Sequence, residues 1–520
     1  MYVPKTRSRP SRRSLNLLTT DAAKNVLKQL SELKESKDYN QTVWEIFLGL
    51  VETPRPSYHH TAVVEFCKKF AADHKLECRV DEADNVCITI PATPGYENVP
   101  VIGLQGHSDI VGVAESGFTH NFKTDPLVPR IHDMEGEKWV SATNTSLGAD
   151  NGIAVAAGLA IALEKDLKHG PLELLITSDE EVGLLGAAAL KDGFIKSVFV
   201  LNLDSEEELA ICVGCAGGFV NHFHLPITRE AHEGELVGMK LWNLTGGHTG
   251  VDIPLGRGNA LLLSARILKA CLPEGGRVVA VNGGQAHNAV PREIVSTVSL
   301  PAGTKAEFVK KVEALVDVIR EEFRKTDPEI KLDWVDAEKM TPMSAESTAK
   351  FLNFALQLPF RVYRMSQAVE DLVQTSYAIT ISESKETEVV FTGSARSDAK
   401  AQLDAVYNEL CGLCALAGVA APEREDEYPG WPANADSYLL KVAEKKHVDV
   451  VGKKAAVYAI HAGLECGLLL SNCPCVRDAV SIGPEIRSPH SPSERLMIRT
   501  VGPFYEFVKA VITHIAEDKK

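Results

Sequence analysis

The chain has 520 residues, of which 45% are hydrophobic and 24% are charged, and its formal net charge is −15 at pH 7. One hydrophobic core rarely extends over so many residues, so we expect two domains. A net negative surface gains nothing from nucleic-acid phosphates or anionic lipids, which argues against both as main partners and favours a small-molecule substrate. The 11 cysteines are an odd number spread along a long chain, which is typical of reduced thiols in a reducing compartment such as the cytoplasm.

The N-terminal segment carries five basic side chains before the first acidic residue of the chain, namely Lys5, Arg7, Arg9, Arg12 and Arg13. Some organelle transit peptides have this composition, but it is more common in disordered basic tails. We therefore predict that residues 1–38 form a poorly ordered extension, with organelle targeting as the alternative to a cytoplasmic location. No apolar run approaches the roughly 18 to 20 residues that a membrane helix needs, and no signal peptide is recognisable.

Helix and strand patterns alternate in the next part of the chain. A helical pattern over residues 27–70 is interrupted by two prolines. Three short apolar runs predict buried strands, at residues 101–105, 172–177 and 198–203. Residues 152–163 predict a helix between the first two. That order predicts an α/β domain in which a mostly parallel mixed sheet is covered by helices.

The composition changes after the glycine-rich residues 214–218. Strand patterns, as at residues 240–244 and 388–391, then alternate with amphipathic helices such as residues 306–325. We predict that residues 216–402 form an α+β lid domain inserted into the first domain.

The first domain then comprises residues 39–215 and 403–520. In its second part, apolar runs predict strands at residues 457–460 and 479–482. A helix predicted at residues 503–515 closes the chain.

Histidine and acidic side chains follow the predicted parallel strands or the turns beside them. They are His107, Asp109, Asp150, Glu180, Glu181, Asp204 and His490. Taken singly, each has an ordinary explanation, such as a surface pair, a helix cap, a complement to a helix N-terminus or an acidic solvated face. Because the carboxyl ends of parallel strands meet at one edge of a sheet, we expect the whole set to converge there.

Such a set suits two metal ions. Two histidines and three carboxylates without a thiolate favour Zn²⁺, with Co²⁺ or Mn²⁺ as competitors. Two cations about 3.5 to 4 Å apart share a carboxylate and a hydroxide and polarise a scissile carbonyl group. Adjacent Glu180 and Glu181 divide the remaining work if one binds a metal ion and the other acts as the general base. Asp109 lies on the same face of the extended segment as His107 and can fix its tautomer.

Nine short motifs resemble those of a known family. They are PSYH (56–59), GHSD (106–109), TSLGADNG (145–152), DEEVG (179–183), DSEEE (204–208), GGHTG (246–250), NAVPRE (288–293), HAGLECG (461–467) and PHSP (489–492). In this order they resemble the co-catalytic di-zinc peptidases, which include carboxypeptidase G, the aminoacylases and peptidase V. Within that family they are most similar to the branch that cleaves aminoacyl-histidine dipeptides.

The resemblance implies two divalent metal ions and a division of roles among the residues above. The implied ligands are His107 and Asp204 for one ion, Glu181 and His490 for the other, and Asp150 for both. Glu180 would be the general base, and Asp109 the partner of His107. The implied reaction is hydrolysis of dipeptides, in particular aminoacyl-histidine dipeptides.

The resemblance also assigns residues of the lid to the substrate. His248 would stabilise the tetrahedral oxyanion, and Asn288, Arg396 and the Gly463 main chain would contact the substrate. Arg396 has the fork geometry that suits a C-terminal carboxylate. Smaller relatives dimerise through a lid of about half this size and take the histidine from the partner, so His248 acting within its own chain and a homodimer both remain open.

Three alternatives remain open at this point. A dipeptidase of broader specificity, or an aminoacylase or carboxypeptidase, would use the same metal ions with different lid contacts. A binding protein on the same scaffold would have no need of Glu180 or of a complete ligand set, yet all of these residues are present. A structural or nucleic-acid-binding role has little support from the negative charge.

Overall fold

The computed structural model describes residues 15–33, 40–367, 369–434 and 436–520. The basic residues from Lys5 to Arg13 lie outside this part of the chain. The helices are α1 Asp21–Glu32, α2 Gln41–Val51, α3 Thr61–His74, α4 Ala149–Ile161, α5 Leu185–Ala189, α6 Ala260–Cys271, α7 Lys305–Glu322, α8 Ala345–Gln357, α9 Lys400–Ala417, α10 Tyr438–Val451, α11 Glu465–Asn472 and α12 Ile498–Asp518. A short 3₁₀ helix spans Ile253–Leu255.

The strands form three sheets. They are β1 Glu77–Val80, β2 Val86–Ile90, β3 Ile102–His107, β4 Pro129–Met134, β5 Glu137–Ala142, β6 Leu172–Thr177, β7 Phe199–Asn202, β8 Ala210–Cys215, β9 Gly217–Pro226, β10 Gly234–Trp242, β11 Arg277–Gly283, β12 Ile294–Pro301, β13 Lys331–Val335, β14 Phe360–Met365, β15 Val373–Ser384, β16 Glu388–Ser397, β17 Glu425–Tyr428, β18 Ala456–Ile460, β19 Asp478–Ser481, β20 Ile486–Arg487 and β21 Arg495–Met497.

The chain divides into two compact units. Of the described residues, the first unit contains residues 15–33, 40–213, 436–458 and 468–520, and the second contains residues 214–367, 369–434 and 459–467. Within the described residues, no helix is both long enough and apolar enough to cross a membrane.

An eight-stranded mixed sheet carries the first unit, in the order β1-β2-β6-β3-β7-β19-β8-β18. Its central strands β6, β3, β7 and β19 run parallel, whereas β1, β2 and β8 pair antiparallel. Strands β3 and β6 are buried along their whole length, as their short, largely apolar runs predict. The predicted α/β class with a mixed sheet covered by helices is therefore confirmed.

Helix α4 packs closely on strand β3. A Cβ atom at Gly106 would lie 2.8 Å from Ala154 Cβ, so only glycine allows this approach. All residues of α4 are buried, and Asp150 and Asn151 near its start have non-helical backbone angles. The side chain of Asp150 therefore lies at the point where the chain turns into the helix.

The N-terminal extension differs from the prediction in one respect. Helix α1 lies within residues 1–38, which were predicted to be poorly ordered. Thr20 caps it, and Ala23, Val26 and Leu30 are buried along one face at helical spacing.

A nine-stranded antiparallel sheet carries the second unit. Its order is β13-β10-β12-β11-β15-β16-β9-β17, and β14 pairs with β15. One apolar core, which includes Phe219, Phe223, Phe351 and Phe391, joins this sheet to helices α6 to α9. The second unit extends beyond residue 402, where the sequence placed the end of the lid, because α9 packs on β16 and β17 pairs with β9.

Candidate metal centre

The metal-ligand candidates lie at the carboxyl ends of neighbouring parallel strands. His107 is the last residue of β3, Glu180 and Glu181 follow β6, and Asp204 follows β7. Asp150 lies near the start of α4. His490 lies in the loop after β20, and hydrogen bonds bring it to the same edge. The predicted convergence therefore exists, entirely within the first unit.

Asp150 is shared by two groups of potential ligands. Its Oδ1 lies 3.0 Å from His107 Nε2, which in turn lies 3.4 Å from Asp204 Oδ1. Its Oδ2 lies 3.1 Å from His490 Nε2, which lies 2.8 Å from Glu181 Oε2. In each group the potential ligand atoms lie within 4.8 Å of one another. One carboxylate with a different group at each oxygen is the arrangement that two adjacent cations require.

Asp109 is fully buried behind His107 and joins three segments of the chain. Its carboxylate lies 3.5 Å from His107 Nδ1, and its main-chain oxygen lies 3.1 Å from the same atom. Both acceptors require the proton on Nδ1, which leaves Nε2 free to bind a metal ion. The carboxylate also accepts the main-chain N–H groups of Glu180 and Glu181, and the Ser57 hydroxyl donates to it.

Glu180 and Glu181 occupy different places beside the ligands. Glu181 Oε2 contacts His490, whereas Glu180 Oε2 lies 3.9 Å from His107 Nε2. The side chain of Glu181 is 4% exposed and that of Glu180 is 15% exposed. A third potential ligand group, however, combines both glutamates with His107. The geometry thus favours Glu181 as the ligand and leaves Glu180 in reach of water.

The protonation of the cluster follows from burial and close charges. Burial alone would lower the pKa of His107, but Asp204 and Glu180 raise it well above its usual value. Hydrogen bonds to Asp150 and Glu181 raise the pKa of His490 to about 11. Burial raises the pKa of Asp204 and of Glu181. The buried carboxylates therefore demand positive charge, which divalent cations would supply.

A buried carboxylate oxygen without a partner also indicates that the site binds divalent cations. Glu181 Oε1 is buried and has no hydrogen-bond partner in the described part of the chain. Leaving a buried carboxylate oxygen unpaired is costly unless it binds a cation. The donor set contains two imidazoles and several carboxylates, which suits Zn²⁺, Co²⁺ or Mn²⁺.

The sequence did not single out two residues that support this cluster. Arg55 and Glu494 are each 2% exposed and both bind the segment that leads to Asp150. Arg55 stands between the two prolines that interrupt the helical pattern, and Glu494 stands four residues after His490. Their proximity to motif residues was the only signal of a role.

In the second unit, the structure brings together three of the four predicted lid residues. Arg396 Nη2 lies 3.5 Å from His248 Nε2. Asn288 is linked to the same loop, because its main-chain oxygen accepts the N–H group of Thr249. Gly463 belongs to the same unit and lies in the loop between β18 and α11.

Two main-chain groups fix the tautomer of His248. The N–H groups of Gly250 and Val251 both donate to His248 Nδ1 at 3.1 Å. Burial, and then the charge of Arg396, lower the pKa of His248 to about 4, so the ring is neutral at pH 7. With Nδ1 as acceptor, the proton lies on Nε2, which is a hydrogen-bond donor.

Arg396 is oriented by a tyrosine that the sequence did not reveal. Its Nη1 donates to the Tyr428 hydroxyl at 2.9 Å, and its buried Nε has no partner in the described part of the second unit. Arg396 Nη2 and His248 Nε2 are then two adjacent donors. Such a pair favours an anionic or oxyanionic ligand between them.

His461 makes the second unit sensitive to acid. The residue is 5% exposed and its Nε2 lies 2.7 Å from the Ser376 hydroxyl. Burial, and then the charge of Arg396, lower the pKa of His461 to about 3. Because the unfolded chain takes up a proton near pH 6.5 and the folded chain does not, stability falls as the pH drops from about 6.5 towards 3.

We expect His461→Gln to weaken this acid sensitivity. Glutamine keeps a hydrogen bond to Ser376 and has no proton to take up. The free energy of unfolding of the metal-free wild type should fall more steeply below pH 6, by up to about 1.4 kcal/mol per pH unit, than that of the variant. Urea unfolding at pH 7, 6, 5 and 4 measures the difference. Parallel curves for the two proteins would contradict the buried neutral state of His461.

Comparisons with known proteins show the family of the chain. The sequence profile of Peptidase family M20/M25/M40 matches residues 104–514. The cytosol non-specific dipeptidase of Escherichia coli (strain K12) is 34% identical over 492 residues, which are 94% of this chain and 99% of that protein. The crystal structure of aminoacylhistidine dipeptidase from Vibrio alginolyticus is 35% identical, with a TM-score of 0.80, and the match covers 93% of this chain and 98% of that one.

A more distant structure shares the fold alone. It is a tripeptidase from Staphylococcus aureus, 16% identical with a TM-score of 0.51, and the match covers 92% of this chain and 98% of that one. The family profile covers most of the sequence, and the relative from Escherichia coli aligns over almost the whole of both proteins. The chain therefore belongs to peptidase family M20/M25/M40.

Proposed function

We propose that the chain is a dipeptidase that depends on two divalent metal ions, with zinc as the native metal. His107 and Asp204 would hold one ion, Glu181 and His490 would hold the other, and Asp150 would contribute to both sites. The observation that carries the proposal is the position of Asp150, whose two oxygens lie 3.0 Å and 3.1 Å from two different histidines. The relatives from Escherichia coli and Vibrio alginolyticus, both named as dipeptidases, support the substrate class.

Glu180 has the role of the general base in this proposal. The two ions, when bound, would lower the pKa of a water molecule and polarise the scissile carbonyl group. Glu180 takes the proton of the attacking water and passes it to the leaving amine. Asp109 accepts the main-chain N–H of Glu180 at 3.0 Å and so holds the start of the segment that carries the base.

The lid residues have roles at the substrate. His248 donates from Nε2 to the oxyanion that forms in the transition state, since its Nδ1 is already an acceptor. Arg396 binds the C-terminal carboxylate of the dipeptide, and Tyr428 orients the guanidinium. Asn288 and the Gly463 main chain complete the substrate contacts.

Substrate selectivity is tested with the chelated protein reconstituted with Zn²⁺, Co²⁺ or Mn²⁺. The panel contains β-alanyl-histidine, glycyl-histidine, leucyl-alanine, a tripeptide and an N-acetyl amino acid. We expect cleavage of the dipeptides only, with histidine accepted at the second position and Zn²⁺ the most effective at low concentration. Mass spectrometry of the products identifies the bond that is cleaved.

Other outcomes favour the alternatives. Cleavage of the acetylated compound alone would place the protein with the aminoacylases, and removal of C-terminal residues from the tripeptide would indicate a carboxypeptidase. Equal rates for leucyl-alanine and the histidine dipeptides would indicate broad specificity, as the name of the relative from Escherichia coli implies for that protein. If no compound were cleaved with both ions bound, the dipeptidase proposal would be wrong.

The proposal also places the enzyme in the cytoplasm. The name of the relative from Escherichia coli carries that location. None of the 11 cysteines, all of which lie in the described part of the chain, forms a disulfide, and most of them are buried. Free thiols persist in a reducing compartment.

A further inference from the structure

Two buried side chains of opposite charge, Arg55 and Glu494, hold the segment that carries the shared ligand. This segment, residues 147–150, leads into helix α4 and ends at Asp150. Each of the two side chains is 2% exposed, and neither has a role in the proposed chemistry. Burying a charged side chain is costly unless its hydrogen bonds are satisfied, and both side chains satisfy theirs with main-chain groups beside the metal ligands.

The Glu494 carboxylate accepts four consecutive main-chain N–H groups. Its Oε2 lies 2.6 Å from the nitrogen of Leu147 and 2.9 Å from that of Gly148. Its Oε1 lies 2.7 Å from the nitrogen of Ala149 and 3.3 Å from that of Asp150. Each of the two carboxyl oxygens thus accepts two main-chain N–H groups, so both oxygens are held by the segment. Glu494 therefore fixes the main chain up to Asp150 itself.

Arg55 binds a main-chain carbonyl group of the same segment. Its Nη2 donates to the main-chain oxygen of Gly148 at 2.6 Å, and its Nη1 donates to that of Ser108 at 2.8 Å. Ser108 follows His107 directly. One guanidinium group thus joins the segment that carries Asp150 to the segment that carries His107.

The charge of Arg55 cannot itself attract a metal ion. Burial lowers the pKa of Arg55 to about 10, so the side chain is still a cation at neutral pH and would repel the metal ions. Glu494 offsets part of this charge. The benefit of the arginine must therefore lie in the position that its five donors impose on the two ligand segments.

We propose that Arg55 and Glu494 are positioning residues that fix Asp150 between His107 and His490 before metal ions bind, and thereby set the affinity of both metal sites. The inference rests on the proposed function for the presence of two ions. It adds that the shared ligand is already in place in the metal-free protein.

Hydrogen exchange in the metal-free wild type tests this preorganisation without any substitution. Because Glu494 accepts all four N–H groups, we expect the amides of residues 147–150 to exchange slowly after chelation, as slowly as those of the buried strand β3. Slow exchange only after metal is added would overturn the proposal. This result is independent of dipeptide cleavage, so failure of the proposed function and failure of the inference are distinguishable.

Glu494→Gln tests the effect on metal affinity. An amide accepts with one atom only and places an NH₂ group against main-chain donors, so the segment loses its fixed position. We expect competition with a chelator to show binding of both ions weakened by about 10- to 100-fold. At saturating metal, kcat should return towards the wild-type value with little change in KM. Arg55→Lys keeps the positive charge but loses the forked guanidinium group. We expect it to weaken the binding of both ions less than Glu494→Gln does.

Glu173→Gln is the matched control. Glu173 is also 2% exposed, and it accepts the main-chain N–H of Lys196 at 2.8 Å and the Ser197 hydroxyl at 2.7 Å. It lies near the start of β6, at the opposite end from the metal ligands. We expect a lower unfolding temperature and wild-type metal affinity. Equal weakening of metal binding in this control, or wild-type affinity in folded Glu494→Gln and Arg55→Lys, would refute the positioning role.

Discussion

Replacing Glu180 with glutamine should lower kcat by about 10²- to 10⁴-fold while both metal ions stay bound. Glutamine has nearly the same shape but cannot take up a proton at neutral pH. The Glu180 carboxylate lies 3.9 Å from His107 Nε2, whereas that of Glu181 lies 2.8 Å from His490 Nε2. The base and the ligand are therefore separable by substitution.

The matched variant is Glu181→Gln, which should lose one metal ion. Metal content after gel filtration, measured by inductively coupled plasma mass spectrometry, is compared with kcat for both variants. Because one potential ligand group contains both glutamates, the opposite assignment has a clear signature. If Glu180→Gln lost an ion and Glu181→Gln retained both, the two roles would have to be exchanged.

Asp150→Asn should lose both metal ions and all measurable activity. Asp150 Oδ1 lies 3.0 Å from His107 Nε2 and Oδ2 lies 3.1 Å from His490 Nε2, so each oxygen serves one ligand group. An asparagine offers one neutral oxygen in place of two charged ones, which weakens both sites. Among the described residues, Asp150 is the one acidic side chain that the group of His107 and Asp204 shares with the group of Glu181 and His490.

Asp204→Asn is the comparison for this prediction. Asp204 belongs to the group of His107 only, so its replacement should release one ion and leave the other in place. Calorimetric titration of the metal-free proteins with Zn²⁺ counts the sites and measures each affinity. One site of wild-type affinity in Asp150→Asn would show that the carboxylate does not serve both ions.

The position of the metal-ligand candidates at one edge of the sheet could be predicted because it follows from local patterns. Strands β3 and β6 are short, largely apolar runs, and a strand buried on both faces has this pattern whatever surrounds it. Parallel strands expose their carboxyl ends at one edge, so His107 and Glu181 had to lie near each other once the strands were recognised. The motif resemblance supplied the remaining ligand, His490, which no local pattern places.

The limits of the units could not be predicted in the same way. Strand β17 has the sequence Glu-Asp-Glu-Tyr, which has no apolar alternation, and it is a strand because β9 offers hydrogen bonds to its main chain. Helix α12 was predicted to begin at Pro503 but begins at Ile498. Proline favours the first turn of a helix, yet here apolar residues on both sides of Pro503 are buried and extend the helix.

The sequence by itself determined the class of the fold, the order of its ligand-bearing strands and the family to which the chain belongs. These depend on residue type and on spacing over short distances. Only the tertiary structure decided which histidine meets which oxygen of Asp150, since the partners are 43 and 340 residues away along the chain. It alone revealed Arg55 and Glu494, because a buried charge is recognised by the main-chain groups that surround it, and those come from segments that no sequence pattern links.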